Sequence, residues 1–147
     1  MERVKDQIAN IVQDVLTREG CELAEVQVSK YKNNATVKLF VYAENGVSLY
    51  KCAHLSHLVR DTLDASDLFE SGFALEISSP GLDRPLTTAL DFKYRVGETV
   101  RIDFVDRSRQ QIIAAIVVAS DDTVVFRNED GEFRIDLGDI ERARIVF

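Results

Sequence analysis

Both prolines of this 147-residue chain fall within one short stretch, Ser78-Ser79-Pro80-Gly81-Leu82-Asp83-Arg84-Pro85-Leu86. Proline fixes φ and donates no backbone hydrogen bond, so neither a helix interior nor a central strand passes through here. The hydrophobic period also changes across the stretch. Before it, apolar residues recur at helix and strand spacings; after it, at strand spacings alone. Such a chain folds as two small units of different class. Ser79-Pro80-Gly81-Leu82 fits a type II turn, with Pro80 setting φ at the second position and Gly81 accepting a positive φ at the third. Pro85 pushes Arg84 towards an extended backbone. The expected division is residues 1–80, an elbow over 81–90, and residues 91–147. The elbow sets interdomain geometry, and its Asp83 and Arg84 are candidates to bridge the domains or meet a partner.

In the first domain Val4, Ile8, Ile11, Val12, Val15 and Leu16 recur at three- and four-residue steps, which predicts a helix closed by Gly20. Leu23–Ser29 and Thr36–Tyr42 read as strands, the second alternating Val37, Leu39 and Val41 with polar or aromatic residues. Tyr31-Lys32-Asn33-Asn34 is a hairpin turn whose asparagines tolerate positive φ. Asn45-Gly46 is another turn, and Ser48 is a candidate N-cap for a helix to Leu63 with a stripe of Cys52, Leu55, Val59 and Leu63. Phe73–Ser78 is a third strand. The order α-β-β-α-β makes a two-layer domain, two helices on one face of a three-stranded sheet.

The second domain reads as strands only. Val100, Ile102 and Phe104 alternate with Arg101 and Asp103. Ile112–Ala119 is apolar throughout. Thr123–Phe126, Phe133 with Ile135, and Arg142–Val146 follow, with Leu137–Ile140 as a single helical turn. Five short strands in this span suggest a small SH3- or Sm-like β-barrel, so the fold class is α+β. In the apolar strand Ile112, Ala114, Ile116 and Val118 are expected inside, leaving Ile113, Ala115 and Val117 outward. That outward row calls for cover from the first domain or a partner, or for a strand bent enough to pack both faces internally. Ile113 and Val117 are therefore candidate protein contacts.

Charge narrows the partners. The net charge is −7, with 18 Lys+Arg against 25 Asp+Glu. Residues 1–90 hold 9 Lys+Arg and 13 Asp+Glu, and residues 91–147 hold 9 and 12, so neither half is a basic domain attached to an acidic one. The overall field repels phosphate and attracts basic proteins. Asp121, Asp122 and Asp139 in barrel turns are the candidate acidic contacts. Lys30-Tyr31-Lys32 at the first hairpin, and Arg107 with Arg109 in a barrel loop, are candidates to touch RNA locally, Tyr31 by stacking. No Cys-x-x-Cys, Walker or dinucleotide motif occurs, and no carboxylate pair is set apart for acid–base work. His54, His57 and Asp61 share a helix face at metal-like spacing but offer only three ligands, and a solvated face accounts for them. The expectation is a binding protein with no covalent chemistry, no cofactor and no metal. Two cysteines and an N-terminus without a signal-type apolar region suggest a reduced, cytoplasmic setting, and no apolar run is long enough for a membrane span.

Ile77-Ser-Ser-Pro-Gly-Leu-Asp-Arg-Pro-Leu86 resembles the signature of the RimP family of ribosome maturation factors. Asn45-Gly46-Val47-Ser48 with Cys52-Ala53-His54-Leu55-Ser56, and Leu137-Gly138-Asp139-Ile140-Glu141-Arg142-Ala143-Arg144-Ile145, extend the resemblance over the chain. Tyr50-Lys51, His57 and Ala115 depart from the residues usual in that family. The resemblance implies a first domain like type II KH domains, although the Gly-x-x-Gly loop of KH domains is missing here. It also implies a role in ribosome biogenesis: small ribosomal subunit assembly, binding the immature subunit and the twelfth small-subunit ribosomal protein. A free RNA-binding module is the alternative.

Overall fold

The computed structural model describes residues 2–147 of a chain that divides into two compact units, Met1–Pro80 and Gly81–Phe147. Its class is mixed α+β. The first unit runs α1 (Glu2–Arg18), β1 (Cys21–Tyr31), β2 (Asn34–Ala43), α2 (Leu49–Ala65), β3 (Phe73–Ser78). Helix α1 buries Ile8, Val12, Val15 and Leu16, one stripe at three- and four-residue steps. Gly20 ends it in the left-handed region, φ 73°, and donates to the Thr17 carbonyl at 3.1 Å. Ser48 caps α2, its Oγ accepting from the Lys51 amide at 3.0 Å.

Strand β2 lies between β1, antiparallel, and β3, parallel. Parallel neighbours need a crossover, which α2 supplies. Val37, Leu39 and Val41 have no exposed surface and join the helix stripes and Ile77 in one core. The hairpin differs from expectation in one residue. Tyr31 pairs with Asn34, so Lys32 and Asn33 form a two-residue turn, and Lys32, not an asparagine, takes the positive φ of 56°. Turns that match strand twist place a positive φ at their first central position, and register gives that position to lysine.

The second unit contains α3 (Ala89–Lys93), β4 (Thr99–Phe104), β5 (Ile112–Ala119), β6 (Thr123–Asn128), β7 (Gly131–Asp136), a 3-10 turn (Leu137–Asp139) and β8 (Ile140–Ile145). The strands form one antiparallel sheet in the order β7-β6-β5-β4-β8. Phe92 of α3 stands edge-on to Phe126 of β6, centroids 6.1 Å apart, at the centre of the core. Strand β5 does not alternate throughout. Ile116 pairs with Phe126 and Val118 with Val125, leaving Val117 as an extra residue. This bulge reverses the faces beyond it. Ala114 and Ile116 are buried as expected of the inner row, but Val118 turns out, 53% exposed, while Ile113 is 50% exposed and Val117 half-buried.

Candidate functional site

The signature stretch is anchored mainly within the second unit. Ile77 and Pro80 are buried at the end of β3 and just beyond it. The hydrogen-bonded turn then spans Gly81–Arg84, with the Arg84 amide donating to the Gly81 carbonyl at 3.2 Å. The type II turn expected at Ser79–Leu82 is not formed, and Gly81 is not in the left-handed region. With the turn starting at Gly81, that residue is not a central position and needs no positive φ. Its missing Cβ instead leaves room for the Asp83 carboxylate, since a Cβ there would lie 2.7 Å from Asp83 Oδ1. Beyond Pro85, Leu86 exchanges two backbone hydrogen bonds with Ala143 of β8, at 2.7 and 2.9 Å, and is buried in the second core. Ser79, Leu82 and Asp83 are exposed, and Ser78 half-buried.

Arg84 is held by a residue that the sequence reading passed over. Asp91 has no exposed surface. Its Oδ2 accepts from the Thr87 and Thr88 amides at 3.0 and 3.2 Å, and its Oδ1 accepts from Arg84 Nε at 3.4 Å. Thr88 Oγ1 accepts in turn from the Asp91 amide at 3.2 Å, completing a capping box at the start of α3. The pattern Thr88-x-x-Asp91 before Phe92 was the available signal. The Asp91 carboxylate, itself held by the Thr87 and Thr88 amides, thus fixes the signature's arginine to its own unit. Arg95 adds a 3.5 Å hydrogen bond to the Gly81 carbonyl.

The other candidates fall into separate groups. Lys30, Tyr31 and Lys32 are exposed at the first hairpin, Tyr31 by 73%, with the Lys32 ammonium 5.5 Å from the Tyr31 ring centroid. Lys30 also borders a hollow of about 290 Å³ that includes Asp67 and Glu70, two carboxylates that weaken its appeal to phosphate. Arg107 pairs with Glu141 at 3.2 Å, and the Arg109 guanidinium lies 3.8 Å from the Phe104 ring centroid. Asp121, Asp122 and Asp139 are exposed. The Asp122 carbonyl accepts from Leu137 at 2.8 Å and the Asp139 carbonyl from Val105 at 2.9 Å, which brings these turns to one end of the second unit. Asp106 joins them there; its carboxylate accepts from the Ser108 hydroxyl and amide, which hold its pKa below the usual value.

Residues 11–83 match the family model described as the RimP N-terminal domain. The chain belongs to the RimP family. The match takes in the C-terminal part of α1 from Ile11, all of β1, β2, α2 and β3, and runs into the signature as far as Asp83. Within this RimP domain Glu19, just past α1, accepts from Lys51 Nζ at 3.1 Å and His54 Nε2 at 3.0 Å, both on α2. The hydrogen bond from Lys51 holds the Glu19 carboxyl below its ordinary pKa, with His54 assisting. His54 is thus engaged by a carboxylate just past the end of α1. Among the described residues no three His, Cys, Asp or Glu side chains gather as a metal site, and no helix is long and apolar enough to cross a membrane. Membership of the RimP family associates the chain with ribosome maturation.

Proposed function

We propose that this chain is a maturation factor for the small ribosomal subunit that acts by non-catalytic binding. The observation that carries the reading is the RimP N-terminal domain over residues 11–83. The α-β-β-α-β first unit, with a parallel third strand, supports the likeness to type II KH domains. The five antiparallel strands with a 3-10 turn before the last support an SH3- or Sm-like barrel. The partners would be the immature small subunit in the cytoplasm and, on it, the twelfth small-subunit ribosomal protein. A basic protein suits the net charge of −7 and the aspartates gathered at one end of the second unit. Sedimentation of a cell lysate tests the reading. The protein is expected with free small subunits and their precursors and absent from translating ribosomes. A deletion strain with normal subunit ratios and normal small-subunit RNA processing would overturn it.

A further inference from the structure

The strand register of the second unit puts two arginines opposite each other. Arg101 of β4 pairs with Arg144 of β8, and on its other side Arg101 pairs with Ile113 of β5. The three side chains form a row across three neighbouring strands on the outer face of the sheet. All are exposed, Ile113 by 50%. The next rung, Asp103 opposite Arg142, is balanced within the protein. Arg142 meets Asp103 at 3.7 Å and Glu141 at 2.8 Å. Among the described residues the side chains of Arg101 and Arg144 make no ion pair and no hydrogen bond.

Like charges directly opposite on antiparallel strands destabilise a sheet. Here they recur in a chain with more carboxylates than cations, beside a rung that is neutralised. Stability therefore gives no reason for the pair, whereas an external anion does. The basic residues of residues 91–147 are also nearly all arginine, Lys93 being the one exception. Arginine offers a planar fork that meets phosphate oxygens in pairs, and Ile113 beside Arg101 supplies an apolar surface for a sugar or base. Opposed strand positions are close enough for both guanidinium groups to converge on one phosphate or on neighbouring ones.

We propose that the Ile113–Arg101–Arg144 row on the outer face of the second sheet is a phosphate-backbone contact for RNA. The choice of RNA as the polyanion rests on the ribosome-maturation reading. The row uses residues other than the hairpin lysines and Arg107 and Arg109, whose charges have neighbours of their own.

The test uses the full chain, wild type, Arg101→Gln, Arg144→Gln and the double variant. A fluorescent single-stranded RNA of mixed sequence is titrated by anisotropy across a range of salt. The double variant is expected to bind on the order of tenfold more weakly at low salt, and its log K against log salt slope to flatten by about 1.4, two contacts at roughly 0.7 each. The Arg101→Lys, Arg144→Lys double variant should recover part of the affinity. Thermal unfolding of the glutamine variants should be unchanged or occur at higher temperature, because a repulsion has been removed. Equal RNA binding by wild type and double glutamine variant, or no RNA binding by the wild type, would overturn the proposal. Parallel titration with the purified ribosomal protein keeps the two readings apart. Retained ribosomal-protein binding without an arginine-dependent RNA contact sinks only this inference. Loss of ribosomal-protein binding alone in the glutamine variants would make the row a protein contact and also overturn it.

Discussion

Asp91 and Glu19 hold their charges in different ways, and substitutions should separate them. Asp91 is fully buried and its oxygens serve two amides and Arg84. Asp91→Ala removes the capping box of α3 and takes a buried carboxylate away from the Arg84 guanidinium, so urea unfolding of the second unit should show a loss of about 2–4 kcal/mol. Gly81→Ala should stay within about 1 kcal/mol by the same measurement. Gly81 is outside the left-handed region, and the group nearest an added Cβ is a movable carboxylate. Glu19 acts through pH. Its pKa is lowered in the folded state, chiefly by the hydrogen bond from Lys51. Its contribution is therefore present above the ordinary carboxylate value of about 4.3 and fades as pH falls through the lower folded value. Thermal melts through this window should show the wild type losing stability more steeply than Glu19→Gln.

Among elements, β5 shows how far a pattern of apolar residues can be trusted. Its composition identifies a strand, but eight consecutive apolar residues do not declare which face each occupies. The bulge at Val117 decides that, placing Ile116 inside and Val118 outside. Ile116→Ala should cost about 2–5 kcal/mol, and Val118→Thr should lie within about 0.5 kcal/mol, both read by urea unfolding. Strict alternation would make both substitutions costly. Helix α3 teaches a complementary lesson. At five residues it is too short for a periodic signal, and a capping box was its only mark in the sequence. The signature segment likewise reads as a linker by its prolines, yet Leu86 sits in the second core because β8 offers it a backbone partner.

For the whole molecule, net charge and charge placement act differently. The −7 of the chain is spread over both halves, but turns of the second unit bring Asp121, Asp122, Asp139 and Asp106 to one end. Under the proposed function, changing Asp121, Asp122 and Asp139 together to Asn should slow association with the proposed ribosomal-protein partner several-fold. The effect should shrink as salt rises and the Debye length falls to about 8 Å near physiological strength, as stopped-flow binding would show. An unchanged association rate at low salt would remove this end from the contact.

Local patterning was enough to determine the element types of the first unit, its helix caps at Ser48 and Gly20, and the run of strands from β4 onward, although not the short helix α3 that precedes them. These features depend on residues near one another in sequence, so spacing, turn chemistry and capping preferences record them directly. The family signature was legible too, because it is one unbroken stretch. The tertiary structure decided what depends on distant residues. It turned Arg84 towards Asp91, gave Lys32 the left-handed position, placed a bulge in β5 and set Arg101 opposite Arg144. Each follows from strand register or from the closing of a core. A one-residue slip would exchange every face of a strand, and the hydrophobic pattern of a single segment does not fix its alignment with a neighbour.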